Sequence, residues 1–123
     1  MNFDETVQAL FEAIKSRDMD KVLSIISIDE EVNLILLNGA FFKGRSTLIN
    51  LHEAWFADPD WLMDVKSLHT IETQEMGYAL ILADYSDVAL EDQAYEKQRY
   101  VSLVFTKKED RWNLVHNQTT VVQ

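Results

Sequence analysis

The sequence predicts an α+β fold, with three N-terminal helices packed on a curved, mainly antiparallel sheet. Three observations carry this. Apolar residues recur at helical spacing through the first part of the chain and again around Leu48 to Trp55. From Trp61 onward the apolar pattern alternates, as in half-buried strands. The links between the later strands are so short that neighbouring strands must run antiparallel.

The first helix rests on Val7, Leu10, Phe11 and Ile14, which fall at i, i+3, i+4 and i+7 and form one apolar stripe. Asp4 and Glu5 stand early in it, where carboxylates suit the positive end of a helix dipole, and Lys15 and Arg17 close it. Asp18 reads as the N-cap of a shorter second helix with Met19, Val22, Leu23 and Ile26 on its apolar face. Asp29-Glu30-Glu31 breaks the period. Val32 to Leu37 is then a β-rich run, apolar on both faces apart from Asn33. Asn38-Gly39 turns the chain, Phe41 and Phe42 follow, and Gly44-Arg45-Ser46 opens a third helix with Ser46 as its cap. Leu48, Leu51, His52 and Trp55 share a face of that helix, so His52 points inward. Asp58-Pro59-Asp60 ends it, because proline cannot continue a helix.

Trp61 to Thr73 alternates, with Trp61, Met63, Val65, His69 and Ile71 on one side. Glu75-Met76-Gly77 turns the chain into a long strand, Tyr78 to Leu90, apolar on both faces until Asp84. Glu91-Asp92-Gln93-Ala94 is a charged connection, Tyr95 to Lys107 the next strand, and Lys108-Glu109-Asp110-Arg111 a tight hairpin. In the last strand Trp112, Leu114, His116, Gln118 and Thr120 alternate with Asn113, Val115, Asn117, Thr119 and Val121. The first row begins on a tryptophan and ends on polar groups, as a core does where it runs out into a cavity. Residues 1–123 read as one domain.

The totals exclude several classes of function. Against 11 basic side chains stand 21 acidic ones, a formal charge of −10 that repels phosphate backbones and anionic lipid. No nucleic-acid or membrane partner is expected. Cysteine is absent, which removes thiol nucleophiles and zinc-thiolate sites and suits a reducing compartment. The acidic start Met1-Asn2-Phe3-Asp4-Glu5 is unlike a signal peptide, and no run approaches the roughly 20 apolar residues of a membrane helix. A cytoplasmic protein is expected.

The order of elements, Asn38-Gly39 with Lys43-Gly44-Arg45 before the third helix, and Trp112-Asn113-Leu114-Val115-His116-Asn117-Gln118-Thr119-Thr120 near the end resemble the nuclear transport factor 2-like superfamily. Within it the pattern is most similar to SnoaL-like and SgcJ/EcaC-type small proteins and to the calcium/calmodulin-dependent kinase association domain. The resemblance covers nearly the whole chain. It implies a cystatin-like, cone-shaped α+β barrel with a hydrophobic pocket, and a homodimer formed through the sheet. It implies no single activity, since members include isomerases, cyclases, dehydratases, carriers and assembly domains. Two departures bear on mechanism. Ketosteroid isomerase-like members carry a catalytic aspartate where this chain has Leu36-Leu37-Asn38, and asparagine cannot abstract a proton. The family's frequent arginine of the penultimate strand falls at Tyr100, two residues before Ser102; Arg99, displaced by one, is expected on the opposite face.

His116 is the sharpest catalytic candidate, an imidazole on the row that begins with Trp112. A half-buried histidine bonded to a neighbour explains it equally well. His52, Trp55 and Tyr85 are expected on the walls of a pocket between the third helix and the sheet, with His116 and Gln118 at its floor. His52 and His69 on apolar faces each require a hydrogen-bond partner, because burying an unsatisfied ring nitrogen costs roughly 1–3 kcal/mol. The three histidines stand on separate elements, so no metal is expected, nor any cofactor. Asp84 reads as the solvated end of its strand, or as a base if an apolar wall covers it. The leading reading is a homodimeric binder of a small, largely apolar molecule. If it catalyses a reaction, isomerase, cyclase or dehydratase chemistry by proton transfer through His116 is expected. The alternative is a non-catalytic assembly module using the sheet face with Asn113, Val115, Asn117, Thr119 and Val121.

Overall fold

A capping box starts the first helix, α1 (Phe3–Lys15): the Asn2 side chain accepts from the Glu5 N–H at 2.8 Å, and the Glu5 carboxylate accepts from the Asn2 N–H at 3.0 Å. The computed structural model describes residues 1–87 and 98–123. The expected connection Glu91 to Ala94, and the strand ends Val88 to Leu90 and Tyr95 to Lys97, lie outside the described residues. Arg17, in the left-handed region at φ 57°, turns the chain into α2 (Met19–Ile25), where Asp18 caps the Lys21 N–H at 3.1 Å. The buried face of α2 is Val22 and Ile25.

Two short strands follow, β1 (Asn33–Ile35) and β2 (Phe41–Lys43), an antiparallel pair around Asn38-Gly39. The apolar pair Phe41-Phe42 was too short to read as a strand. Helix α3 (Arg45–Phe56) has no side-chain cap; Gly44 takes that position at φ 101°, and Ser46 does not. Arg45 does something else. Its guanidinium donates to the carbonyls of Leu23, Ile26 and Ser27 at 2.8–3.0 Å, satisfying the C-terminal end of α2.

The long strands are β3 (Leu62–Glu72), β4 (Met76–Ser86), β5 (Gln98–Lys108) and β6 (Arg111–Val121). The sheet runs β2-β1-β6-β5-β4-β3, antiparallel except where β1 lies parallel to β6. The β5–β6 hairpin turns on Glu109 and Asp110, both at positive φ, the conformation of a two-residue type I′ turn. The three helices and the mainly antiparallel sheet match the expected α+β architecture.

The concave face of the sheet is graded in size. Gly77, Ala79, Ile81, Ala83 and Tyr85 form its row on β4, and all are buried. Gly77 and Ala79 leave room for α1: Phe3 packs edge-on to Phe105 and Trp112, with centroids 5.3 and 5.0 Å away.

Two β-bulges redirect the strands. On β6, Val104 faces His116 but the next residue, Phe105, faces Leu114, so Val115 has no opposite number. Trp112 and Leu114 point inward before the bulge. Beyond it the inward residues are Asn117, Thr119 and Val121, opposite Leu103, Val101 and Arg99. His116, Gln118 and Thr120 turn to the convex face, which corrects the unbroken alternation read from the sequence. On β3, Leu68 is extra between Ser67 and His69. His69 and Ile71 are therefore exposed and not part of an inner row.

Candidate functional site

Between α3 and the concave face lies a cavity of about 710 Å³. Its inner end is hydrocarbon: Leu10, Phe11 and Ile14 from α1, Leu34 from β1, and Leu103 and Leu114 from the sheet. His52, Trp55, Tyr85, Arg99, Asn117 and Thr119 supply the polar atoms and aromatic surface, and Asn38 also reaches it. Ala83 leaves space there that a larger residue would fill.

The aromatic wall is braced from several directions. Trp55 and Trp61 stack with centroids 4.6 Å apart, and Trp61 lies nearly parallel to Tyr85 at 5.9 Å. The Trp55 indole donates to the Tyr85 hydroxyl at 2.9 Å, while the Trp61 indole donates to the Trp55 carbonyl at 2.9 Å. Two of the rings also carry a guanidinium: Arg17 lies 3.8 Å from the Trp61 ring centre and Arg99 lies 4.3 Å from that of Tyr85. Arg17 also donates to the carbonyls of Asp58 and Trp61, fixing the chain after α3.

His52 stands one turn before Trp55 on the cavity side of α3. Its Nδ1 is 2.7 Å from the Leu48 carbonyl, which can only accept, so Nδ1 carries the hydrogen. Burial lowers its pKa below the usual 6.5, against the smaller opposing effect of that bond. The neutral ring is thus favoured, and Nε2 is left as an acceptor. Burial raises the Tyr85 pKa and keeps the phenol protonated. Burial also lowers that of Arg99, but a guanidinium stays charged at physiological pH.

Of the residues expected at the site, His52, Trp55 and Tyr85 line the cavity, and His116 and Gln118 do not. The His116 ring is on the other side of the sheet, where Nδ1 meets the Asn33 side-chain oxygen at 2.6 Å. Gln118 is exposed. Asp84 is exposed too, opposite Asp64 on the convex face. Arg99, expected on the face away from the site, lies within it because its strand partners Ala83 and Val121 are both inward. Counting back by twos from the apolar Phe105 and Leu103 gives this answer; comparison with the family's arginine position obscured it. Asn117 and Thr119 were hidden by the bulge. Among the described residues, no cluster of three or more His, Asp or Glu is placed to hold a metal ion.

A profile of the SnoaL-like domain matches residues 4–122. The chain belongs to the SnoaL-like domain family. None of the curated proteins matches it by sequence. This SnoaL-like domain is similar in structure to a provisionally assigned calcium/calmodulin-dependent protein kinase type II association domain from Thiobacillus denitrificans. That similarity has a TM-score of 0.83 at 17% identity, covering 99% of this chain and 96% of the other. A nuclear transport factor 2-like protein from Streptomyces avermitilis, provisionally assigned as a dehydratase, gives a TM-score of 0.80 at 13% identity over 98% and 93%. A provisionally assigned ketosteroid isomerase from Shewanella frigidimarina gives 0.76 at 15% over 94% and 91%. At such identities these likenesses concern the fold alone. Among the described residues, no helix of this SnoaL-like domain is long and apolar enough to cross a membrane.

Proposed function

We propose that this SnoaL-like domain binds a small, largely apolar molecule in the cavity between α3 and the sheet, as a homodimer joined through the convex face. The cavity carries the reading. Its volume of about 710 Å³ falls within the usual range of ligand sites, and a mostly hydrocarbon lining with a few convergent polar groups is typical of them. His52, Trp55 and Tyr85 are its proposed ligand contacts. If the domain catalyses a reaction, proton transfer is the chemistry suggested by neighbours assigned as a dehydratase and an isomerase. His52 then takes the role that the sequence suggested for His116, because it combines a cavity position with a basic lone pair.

The alternative is an assembly module, favoured by the neighbour assigned as an association domain and by the half-buried Leu80, Leu82, Tyr100 and Val104 on the convex face. Native mass spectrometry on protein purified without added ligand separates the two. The binding reading expects a dimer carrying a discrete extra mass that is lost on denaturation. A bare oligomer would move weight to assembly, and a bare monomer would sink both readings.

A further inference from the structure

We infer that the cavity's ligand is a neutral hydroxyl compound, an alcohol or phenol on an apolar body, whose O–H donates to Nε2 of His52. The inference rests on the cavity being a binding site, as proposed above, and names the class of molecule it takes.

The fixed orientation of His52 is the first observation. Its Nδ1–H is committed to the Leu48 carbonyl at 2.7 Å, one turn back on α3. The ring is also flanked on its own helix, tilted against Trp55 with centroids 6.1 Å apart and edge-on to Phe56 at 5.9 Å. Trp55 is in turn held by its bond to Tyr85 and its stack on Trp61. A ring held at these points has its Nε2 lone pair already placed when a ligand arrives.

The hydrogen-bonding capacity left over is the second. With Nδ1–H engaged, the neutral ring has one polar atom to offer, and that atom can only accept. Among the described residues nothing donates to it, and His52 lines the cavity. At pH 7.5 the ordinary imidazole value of 6.5 already leaves the ring mostly neutral, and burial acts in the same direction. A ketone or an ether has no hydrogen to give Nε2, and neither has a carboxylate. An alcohol or phenol supplies one, and it brings no charge to an inner end walled by Leu10, Phe11, Ile14 and Leu34.

The facing wall is the third. Asn117 lies inward on β6 with Leu34 and Leu103 as its strand partners, both almost fully buried. Among the described residues its carboxamide has no hydrogen-bond partner, and neither has the hydroxyl of Thr119, the next inward residue. Both groups can donate as well as accept. A pure hydrocarbon would cover His52, Asn117 and Thr119 without giving any of them a bond, which is unfavourable for each polar atom taken from water. A ligand hydroxyl gives its hydrogen to Nε2 and keeps its lone pairs for donors on the sheet. An amide N–H could serve Nε2 but has no lone pair on the same atom to offer them.

Isothermal titration at pH 7.5 with two matched pairs tests this: decan-1-ol with 1-methoxydecane, and 2-naphthol with 2-methoxynaphthalene. Each ether keeps the body and oxygen of its partner and replaces the hydrogen to be donated by a methyl group. At least one hydroxyl probe is expected to bind about fivefold or more tightly than its ether. His52→Phe, which keeps a ring but removes both nitrogens, should bring that ratio close to one. A second readout needs no variant: in nitrogen-15-labelled protein the His52 Nε2 resonance should move further with the hydroxyl probe than with its ether at equal saturation. Ethers binding as tightly as the hydroxyl probes, a preference that survives His52→Phe, or an Nε2 resonance that responds alike to both would overturn the inference and leave the binding reading standing. Failure of all four probes to bind would overturn both. Should His52→Phe fail to unfold cooperatively, the labelled parent protein decides by itself.

Discussion

Trp55 donates its indole N–H to the hydroxyl of Tyr85 at 2.9 Å, so the last turn of α3 is tied to the far end of β4 by one hydrogen bond across the cavity wall. Tyr85→Phe leaves the stacked rings in place but strands the Trp55 donor in a partly buried position. The expected cost is about 1 kcal/mol. Urea unfolding should show a lower midpoint with an unchanged slope. A midpoint equal to that of the parent would mean that water replaces the hydroxyl without penalty.

His52 makes stability depend on pH with a definite sign. Its folded pKa lies below 6.5, so as pH falls through 6.5 the unfolded chain takes up a proton that the folded chain resists. This group's contribution is fully present above 6.5 and declines as pH falls towards the folded pKa. His52→Gln should flatten that part of the profile. The test is the difference between the two stability curves across this range, which removes the common titration of the carboxylates. Parallel curves would show that the ring is not held neutral.

Gly77 is a packing position. A Cβ there would stand 2.7 Å from Phe3 Cζ, and Phe3, only 1% exposed, is enclosed by Phe105 and Trp112. Gly77→Ala should cost about 1–3 kcal/mol. Pairing it with Phe3→Leu, which shortens the obstructing side chain, should cost less than the sum of the single changes by at least about 0.5 kcal/mol. Additive losses would show that the strand moves away instead.

His116→Gln should leave the affinity of any cavity ligand within about twofold, because the ring lies across the sheet, whereas His52→Gln should weaken a ligand that donates to Nε2 by about fivefold or more. The reverse order of effects would mean that the bulge at Val115 does not persist in solution.

That bulge also marks the limit of what could be read from the residues alone. The α3 face with Leu48, Leu51, His52 and Trp55 was legible because a helix keeps its period unless proline or glycine interrupts it. Asp18 was legible as a cap for a similar local reason, and so was the hairpin at Glu109-Asp110. A strand's two-residue period has no such protection: one extra residue exchanges every later side chain between faces. Nothing in Leu114-Val115-His116 advertises that residue, since valine suits a bulge and a regular strand alike. His116 and Gln118 were therefore assigned to the inner face, and Asn117 and Thr119 to the outer. The parallel pairing of β1 with β6 escaped for another reason. It joins Asn33 to His116, and no local pattern spans such a separation.

The same pairing has a consequence for how the chain reaches its final state. β1 and its hairpin partner β2 are made well before β6, the strand that docks them to the rest of the sheet. Until β6 leaves the ribosome, β1 presents an unpaired edge, and Leu34 lacks the neighbour that helps to enclose it. Contacts this distant in sequence are slow to form, and an open strand edge is prone to pairing with other chains. A ribosome stalled just short of the last strand should therefore hold a nascent chain with a helical N-terminal half, an open sheet and no cavity.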